Sequence, residues 1–70
     1  MSKGILTKRE REVFELLIKN YTTKEIAEKL GISEKTVRNH ISNVMQKLEV
    51  TSRTSAVIEL LKLNLFEIND

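Results

Sequence analysis

Cysteine and proline are both missing from this 70-residue chain, which carries only two glycines and a single histidine. Without cysteine there is no disulfide framework and no thiolate metal site, and that usage suits a reducing cytosol. One histidine cannot make a His-rich metal cluster, so neither a metal nor another cofactor is expected. No stretch approaches the ~20 apolar residues of a membrane span, and the N-terminus lacks the apolar run of a signal peptide. The protein is therefore expected in the cytoplasm, off the membrane. Seventy residues hold one domain, residues 1–70, with a small core near the lower limit for folding alone.

What is present is 40% hydrophobic and 31% charged residues, the balance of a globular helical domain rather than a disordered tail. The net charge of +2 permits nucleic-acid binding without requiring it. How the charge is distributed matters more than its sum. No repeat, low-complexity segment or internal linker interrupts the chain.

Four helix signals follow one another. Thr7-Lys8-Arg9-Glu10 is a capping box, after which Val13, Leu16 and Leu17 form a buried face widened by Phe14 and Ile18. Asn20 is a left-handed stop. Thr22-Thr23-Lys24-Glu25 is a second capping box, opening a short helix with Ile26, Ala27 and Leu30 on one face and Gly31 as its stop. Ser33 caps a third helix in which Val37, Ile41, Val44 and Leu48 make one apolar stripe. Val50 packs into the core from the following turn. Ser52 caps a fourth helix, where Ala56, Val57, Leu60 and Leu61 face inward while Ile58 and Leu65 fall to the side. The expected helices span about 8–19, 23–30, 34–48 and 53–64, and Phe66 to Asp70 carry no clear signal.

The segment from Thr22 to Leu48 holds the functional signal. A short capped helix, the turn Leu30-Gly31-Ile32-Ser33 and a longer helix make a helix-turn-helix layout, whose second helix enters the major groove of DNA. Ala27 is small where the two helices cross, and Ile32 plugs the corner. Opposite its apolar stripe the third helix shows Lys35, Arg38, Asn39, Ser42, Asn43, Gln46 and Lys47. Arg can bond both acceptors of guanine, Asn can do the same for adenine, and flanking lysines neutralise phosphates. The only acid between Glu34 and Lys47 is Glu34 itself, at the first helical position, where it favours the helix dipole. By composition alone such a face is an ordinary solvated surface. The capped helix, turn and cationic second helix occurring together point instead to DNA reading.

Several blocks carry a resemblance: Leu6-Thr7-Lys8-Arg9-Glu10-Arg11-Glu12-Val13, Thr22-Thr23-Lys24-Glu25-Ile26-Ala27, Ile32-Ser33-Glu34-Lys35-Thr36-Val37-Arg38-Asn39-His40-Ile41, Lys47-Leu48 and Arg53-Thr54-Ser55-Ala56. In order and spacing they resemble the LuxR/GerE-type helix-turn-helix domain over roughly residues 5 to 65. Within that family the likeness is to a short stand-alone regulator of spore-coat genes. The resemblance implies an all-α, four-helix, wingless helix-turn-helix domain that binds double-stranded DNA and regulates transcription on the bacterial nucleoid. It implies Arg38, Asn39 and Ser42 nearest the bases. Phosphates would meet Thr22, Thr23, Lys24, Lys35, Thr36 and Lys47, helped by the amides at the second helix's start. It also implies a homodimer through the fourth helix, for which Ile58, Leu61 and Leu65 offer an apolar strip; RNA polymerase is a further partner that activation would need. Two positions depart from the pattern: Asn20 and Glu49 stand where the family usually has Gly. A left-handed Glu49 would cost roughly 1 kcal/mol relative to Gly.

Other readings stay open. The chain could be the DNA-binding piece of a larger regulator, an RNA-polymerase subunit domain of the sigma type, or an interaction module that pairs with related regulators. An enzyme is remote, because no nucleophile–base pair or phosphate-cradling glycine loop is present and no catalytic residue is expected. His40, beside the apolar stripe, reads as a packing or phosphate-contacting residue. Tyr21 reads as packing. Glu12 reads as either a solvated charge or the partner of Arg53 or Lys24. Ile58, Leu61 and Leu65 could also simply complete the core.

Overall fold

The computed structural model describes residues 6–63. Four helices follow in order: α1 (Lys8–Ile18), α2 (Thr23–Leu30), α3 (Glu34–Leu48) and α4 (Arg53–Lys62), with no strand among the described residues. All four expected starts match to the residue, and the first three ends match to the residue or within one. Asn64, expected to end the fourth helix, lies outside the described residues, as do Leu65 and Phe66 to Asp70.

The helices begin where they do because each has a hydroxyl cap. Thr7 accepts from the Glu10 amide at 3.1 Å while the Thr7 amide donates to Glu10 Oε1 at 3.0 Å. Thr22 and Glu25 repeat the arrangement at 3.1 and 2.9 Å. Ser33 accepts from the Thr36 amide and Ser52 from the Ser55 amide, both at 3.0 Å. Each cap satisfies a donor that helix geometry leaves without an intrahelical acceptor.

Three of the helices end alike. Asn20, Gly31 and Glu49 adopt left-handed backbone, with φ of 73°, 70° and 58°. The residue after each turns its amide back onto a carbonyl five positions earlier: Tyr21 to Leu16, Ile32 to Ala27, Val50 to Met45. That is the Schellman closure. In each case the following residue is apolar and packs on the core. A Cβ on Gly31 would meet nothing within 4 Å, so glycine is favoured there by backbone angle and not by space.

α3 packs on all three other helices, and α1 also packs on α2. Val37, Ile41 and Val44 from the α3 stripe are buried among Val13, Phe14, Ile26, Ala27, Ala56 and Leu60. The sequence pattern places Phe14 at the edge of the α1 face, but Phe14 and Val13 are its fully buried residues. Leu16, Leu17 and Ile18 are only half-buried. They sit in the last turn of α1, whereas Val13 and Phe14 occupy its middle, where helices on two sides can cover them. Leu6, ahead of the Thr7 cap, is also buried. Val50, Val57 and Leu61 pack against the core from its margin. Tyr21 does so too, with the Lys29 ammonium 5.1 Å from its ring centroid.

Candidate nucleic-acid interface

The burial of Val37, Ile41 and Val44 fixes which side of α3 faces outward. Lys35, Arg38, Asn39, Ser42, Asn43, Gln46 and Lys47 are all exposed. At 3.6 residues per turn, Lys35, Arg38, Asn39, Ser42 and Gln46 fall within an arc of about 100°. Asn43 and Lys47 lie to one side of it. Ser42 thus stands near the middle of this outward arc, with Arg38 at one edge of it and Asn39 at the other.

The N-terminus of α2 is held beside the N-terminus of α3. Thr23 Oγ1 donates to Glu34 Oε2 at 3.0 Å, bridging the two helix starts. Helix geometry leaves the amides of Thr23 and Lys24 without intrahelical acceptors and gives this end partial positive charge. Thr22, Thr23, Lys24, Lys35 and Thr36 therefore gather around two adjacent helix starts. Ser33 Oγ donates to Thr36 Oγ1 at 2.9 Å, so the first turn of α3 is itself ordered. Arg38 reaches back along its own helix to Glu34, with Nη1 3.7 Å from Oε2.

Lys47 stands apart from this group. It is twelve residues beyond Lys35, or about 18 Å along the helix axis. Its ammonium lies 2.6 Å from Glu10 Oε1, which also takes the Thr7 amide. Glu10 is only 3% exposed, the one buried charged residue among those described. Burial pushes its carboxyl up, but the Lys47 hydrogen bond, the Thr7 amide and the charges of Lys47 and His40 outweigh it. The net effect holds Glu10 below its ordinary value. His40 is half-buried, close enough to Glu10 for its charge to be felt there.

The capping box identifies Glu10 as a cap, and it is one. That Glu10 also anchors Lys47 across 37 positions has no local signal in the sequence. Glu12 pairs with Arg9 at 3.2 Å, one turn away on α1, and not with Arg53 or Lys24. Glu10–Lys47 is an ion pair that ties α1 to α3. Of the expected strip on α4, Ile58 is 48% exposed and Leu61 is half-buried against the core, while Leu65 lies outside the described residues. Leu63, at the end of α4, is 44% exposed. No described helix is long and apolar enough to cross a membrane.

Residues 4–60 match the family described as "Bacterial regulatory proteins, luxR family". The chain is 67% identical over 67 residues to the spore germination protein GerE of Bacillus subtilis, covering 96% of this chain and 90% of that protein. It is 53% identical over 58 residues to the transcriptional regulatory protein DegU of Brevibacillus brevis, covering 83% of this chain but a quarter of that protein's length. A solved structure of the transcription factor GerE superposes with a TM-score of 0.89 at 55% identity, over 93% of this chain and 97% of that one.

Proposed function

The chain belongs to the luxR family of bacterial regulatory proteins and is a DNA-binding transcription regulator, not an enzyme; on that premise we propose how it reads its site. α3 lies in the major groove of double-stranded DNA, with Arg38, Asn39 and Ser42 at base edges. Thr22, Thr23, Lys24, Lys35, Thr36 and Lys47 hold the flanking phosphates, the first three at an amide-rich helix start suited to an anion. The observation that carries this reading is the outward face of α3, fixed by the buried stripe behind it and flanked by the α2 start that Thr23 and Glu34 hold in place.

The working unit is a homodimer joined through α4. Ile58 supplies exposed apolar surface for it, with the half-buried Leu61 beside it; Leu65, the third residue expected there, lies outside the described residues. The domain's longest extent is 29 Å, and successive half-sites one turn apart are spaced by about 34–36 Å. Two copies in adjacent grooves would therefore stand close enough to touch. Likeness to the spore germination protein GerE over nearly both lengths supports a role at sporulation genes; spore-coat genes as targets, and a place on the nucleoid in the cytoplasm, extend that reading. RNA polymerase is then the partner through which a bound regulator would act. Residues 1–70 form one DNA-binding domain.

Selection from random duplex DNA with the 70-residue protein, followed by the salt dependence of binding to the winner, tests this. A two-part motif with half-sites about one turn apart supports the dimeric reader. Weak, salt-sensitive binding without a motif would remove the base-reading role. Arg38→Ala is expected to lose about 1–3 kcal/mol on the selected site and to relax base choice there. Equal losses on every sequence would take Arg38 away from the bases.

A further inference from the structure

Glu34 is the one acid on α3, and it is tied to both halves of the interface. Its Oε2 accepts from Thr23 Oγ1 at 3.0 Å and stands 3.7 Å from Arg38 Nη1. Thr23 belongs to the phosphate-facing group and Arg38 to the base readers, so one carboxylate oxygen serves both. The hydroxyl from α2 fixes the carboxylate, which would otherwise turn freely in solvent. Held there, it places negative charge where a phosphate strand would pass and gives Arg38 an occupied resting position.

An unpartnered guanidinium takes any phosphate within reach, and that contact carries no sequence information. A guanidinium held in a weak, exposed ion pair is released for a stronger partner. The neutral N7 and O6 acceptors of guanine, met in planar bidentate geometry, are not repelled by the carboxylate as a phosphate is. Specificity is a difference between two affinities, and penalising the wrong contact widens it as surely as improving the right one. We infer that Glu34 is a specificity-determining residue that acts through Arg38, weakening attachment to arbitrary duplex more than attachment to the cognate site. The inference rests on the DNA-reading role proposed for α3 and adds the residue that sets its discrimination.

Glu34→Gln keeps an oxygen that can accept from Thr23 but removes the charge. Binding of wild type and variant to the selected duplex and to a scrambled duplex of equal length is measured across a salt series. Affinity for the scrambled duplex is expected to rise about two- to fivefold. Its log–log salt slope should steepen by about 0.9, as one more phosphate is neutralised. The cognate affinity should change less and its slope not at all. In an Arg38→Ala background the same substitution should leave the scrambled slope unmoved.

An equal gain on both duplexes, or a gain that persists without Arg38, overturns the inference in favour of a general charge effect. A parallel loss on both with a lower Tm overturns it in favour of a simple joint between α2 and α3. If the wild type itself prefers no sequence, the reading of α3 fails and the Glu34 role falls with it. That outcome is distinct from a specific wild type whose discrimination Glu34→Gln leaves unchanged, which sinks the inference alone.

Discussion

Taken alone, a carboxyl as buried as Glu10 would rather be neutral, because burial disfavours charge. Lys47, the Thr7 amide and His40 reverse that preference and hold its pKa below the ordinary 4.5. Between the unfolded and the folded value the unfolded chain binds more protons, so stability falls as pH falls through this window. Above about pH 5 the contribution is fully present. Glu10→Gln should therefore flatten the acid limb of a stability–pH curve and lower stability at neutral pH by about 1–2 kcal/mol. Urea titrations from pH 7 down to 3 would show both effects, and an unchanged acid limb would remove Glu10 from the account. The residues of the α3 face were legible in the sequence because a buried stripe of period near 3.6 dictates what points away from it. The partner of Lys47 was not legible. An exposed lysine beside DNA-facing residues reads as a phosphate ligand, and only packing brings α1 and the end of α3 together.

Helix boundaries are set within three or four residues of where they fall, and they were readable for that reason. Thr7, Thr22, Ser33 and Ser52 cap in the structure as their spacing to Glu10, Glu25, Thr36 and Ser55 implies. What lay beyond local reading was the centre of the core. Phe14 and Leu16 look equally apolar in sequence, and only their position along α1 relative to its neighbours separates them. The left-handed ends give a paired test at this scale. Gly31→Ala should destabilise by about 1 kcal/mol from backbone angle alone, since space is free for the added methyl. Glu49→Gly at φ 58° should stabilise by about the same amount. Chemical denaturation of the two variants checks both signs. If Glu49→Gly gained nothing, its left-handed turn would have to be favoured by contacts of the side chain.

At the scale of the whole protein, the proposed reading makes affinity for DNA depend on two features: the adjoining starts of α2 and α3, and apolar surface on α4. Ile58→Lys leaves the α3 face untouched and puts charge on that surface. On a duplex with two half-sites the variant should bind more weakly by on the order of a hundredfold, through loss of the linked second contact. On a single half-site it should match the wild type. Equal binding of both proteins to the two-site duplex would move the dimer contact off Ile58. The sequence suggests a strip of Ile58, Leu61 and Leu65, of which the described residues show Ile58 exposed and Leu61 packed against the core. Its division, with Ile58 outward and Leu61 against the core, follows from how α4 lies on α3, and no pattern within α4 alone encodes it.

Each helix is opened by a residue three positions from its partner and, in three of the four, closed by a bond spanning five. These closures need no distant segment in place before they form. Topologies built from such near-neighbour pairings fold in microseconds to milliseconds, since little chain must be looped before contacts repay the loss of freedom. Proline, whose isomerisation adds phases lasting tens of seconds, is absent. Refolding from urea should thus be a single fast exponential with no slow tail. The delay between synthesis and readiness to bind would then be set by the ribosome and by diffusion to DNA, and folding would add nothing to it.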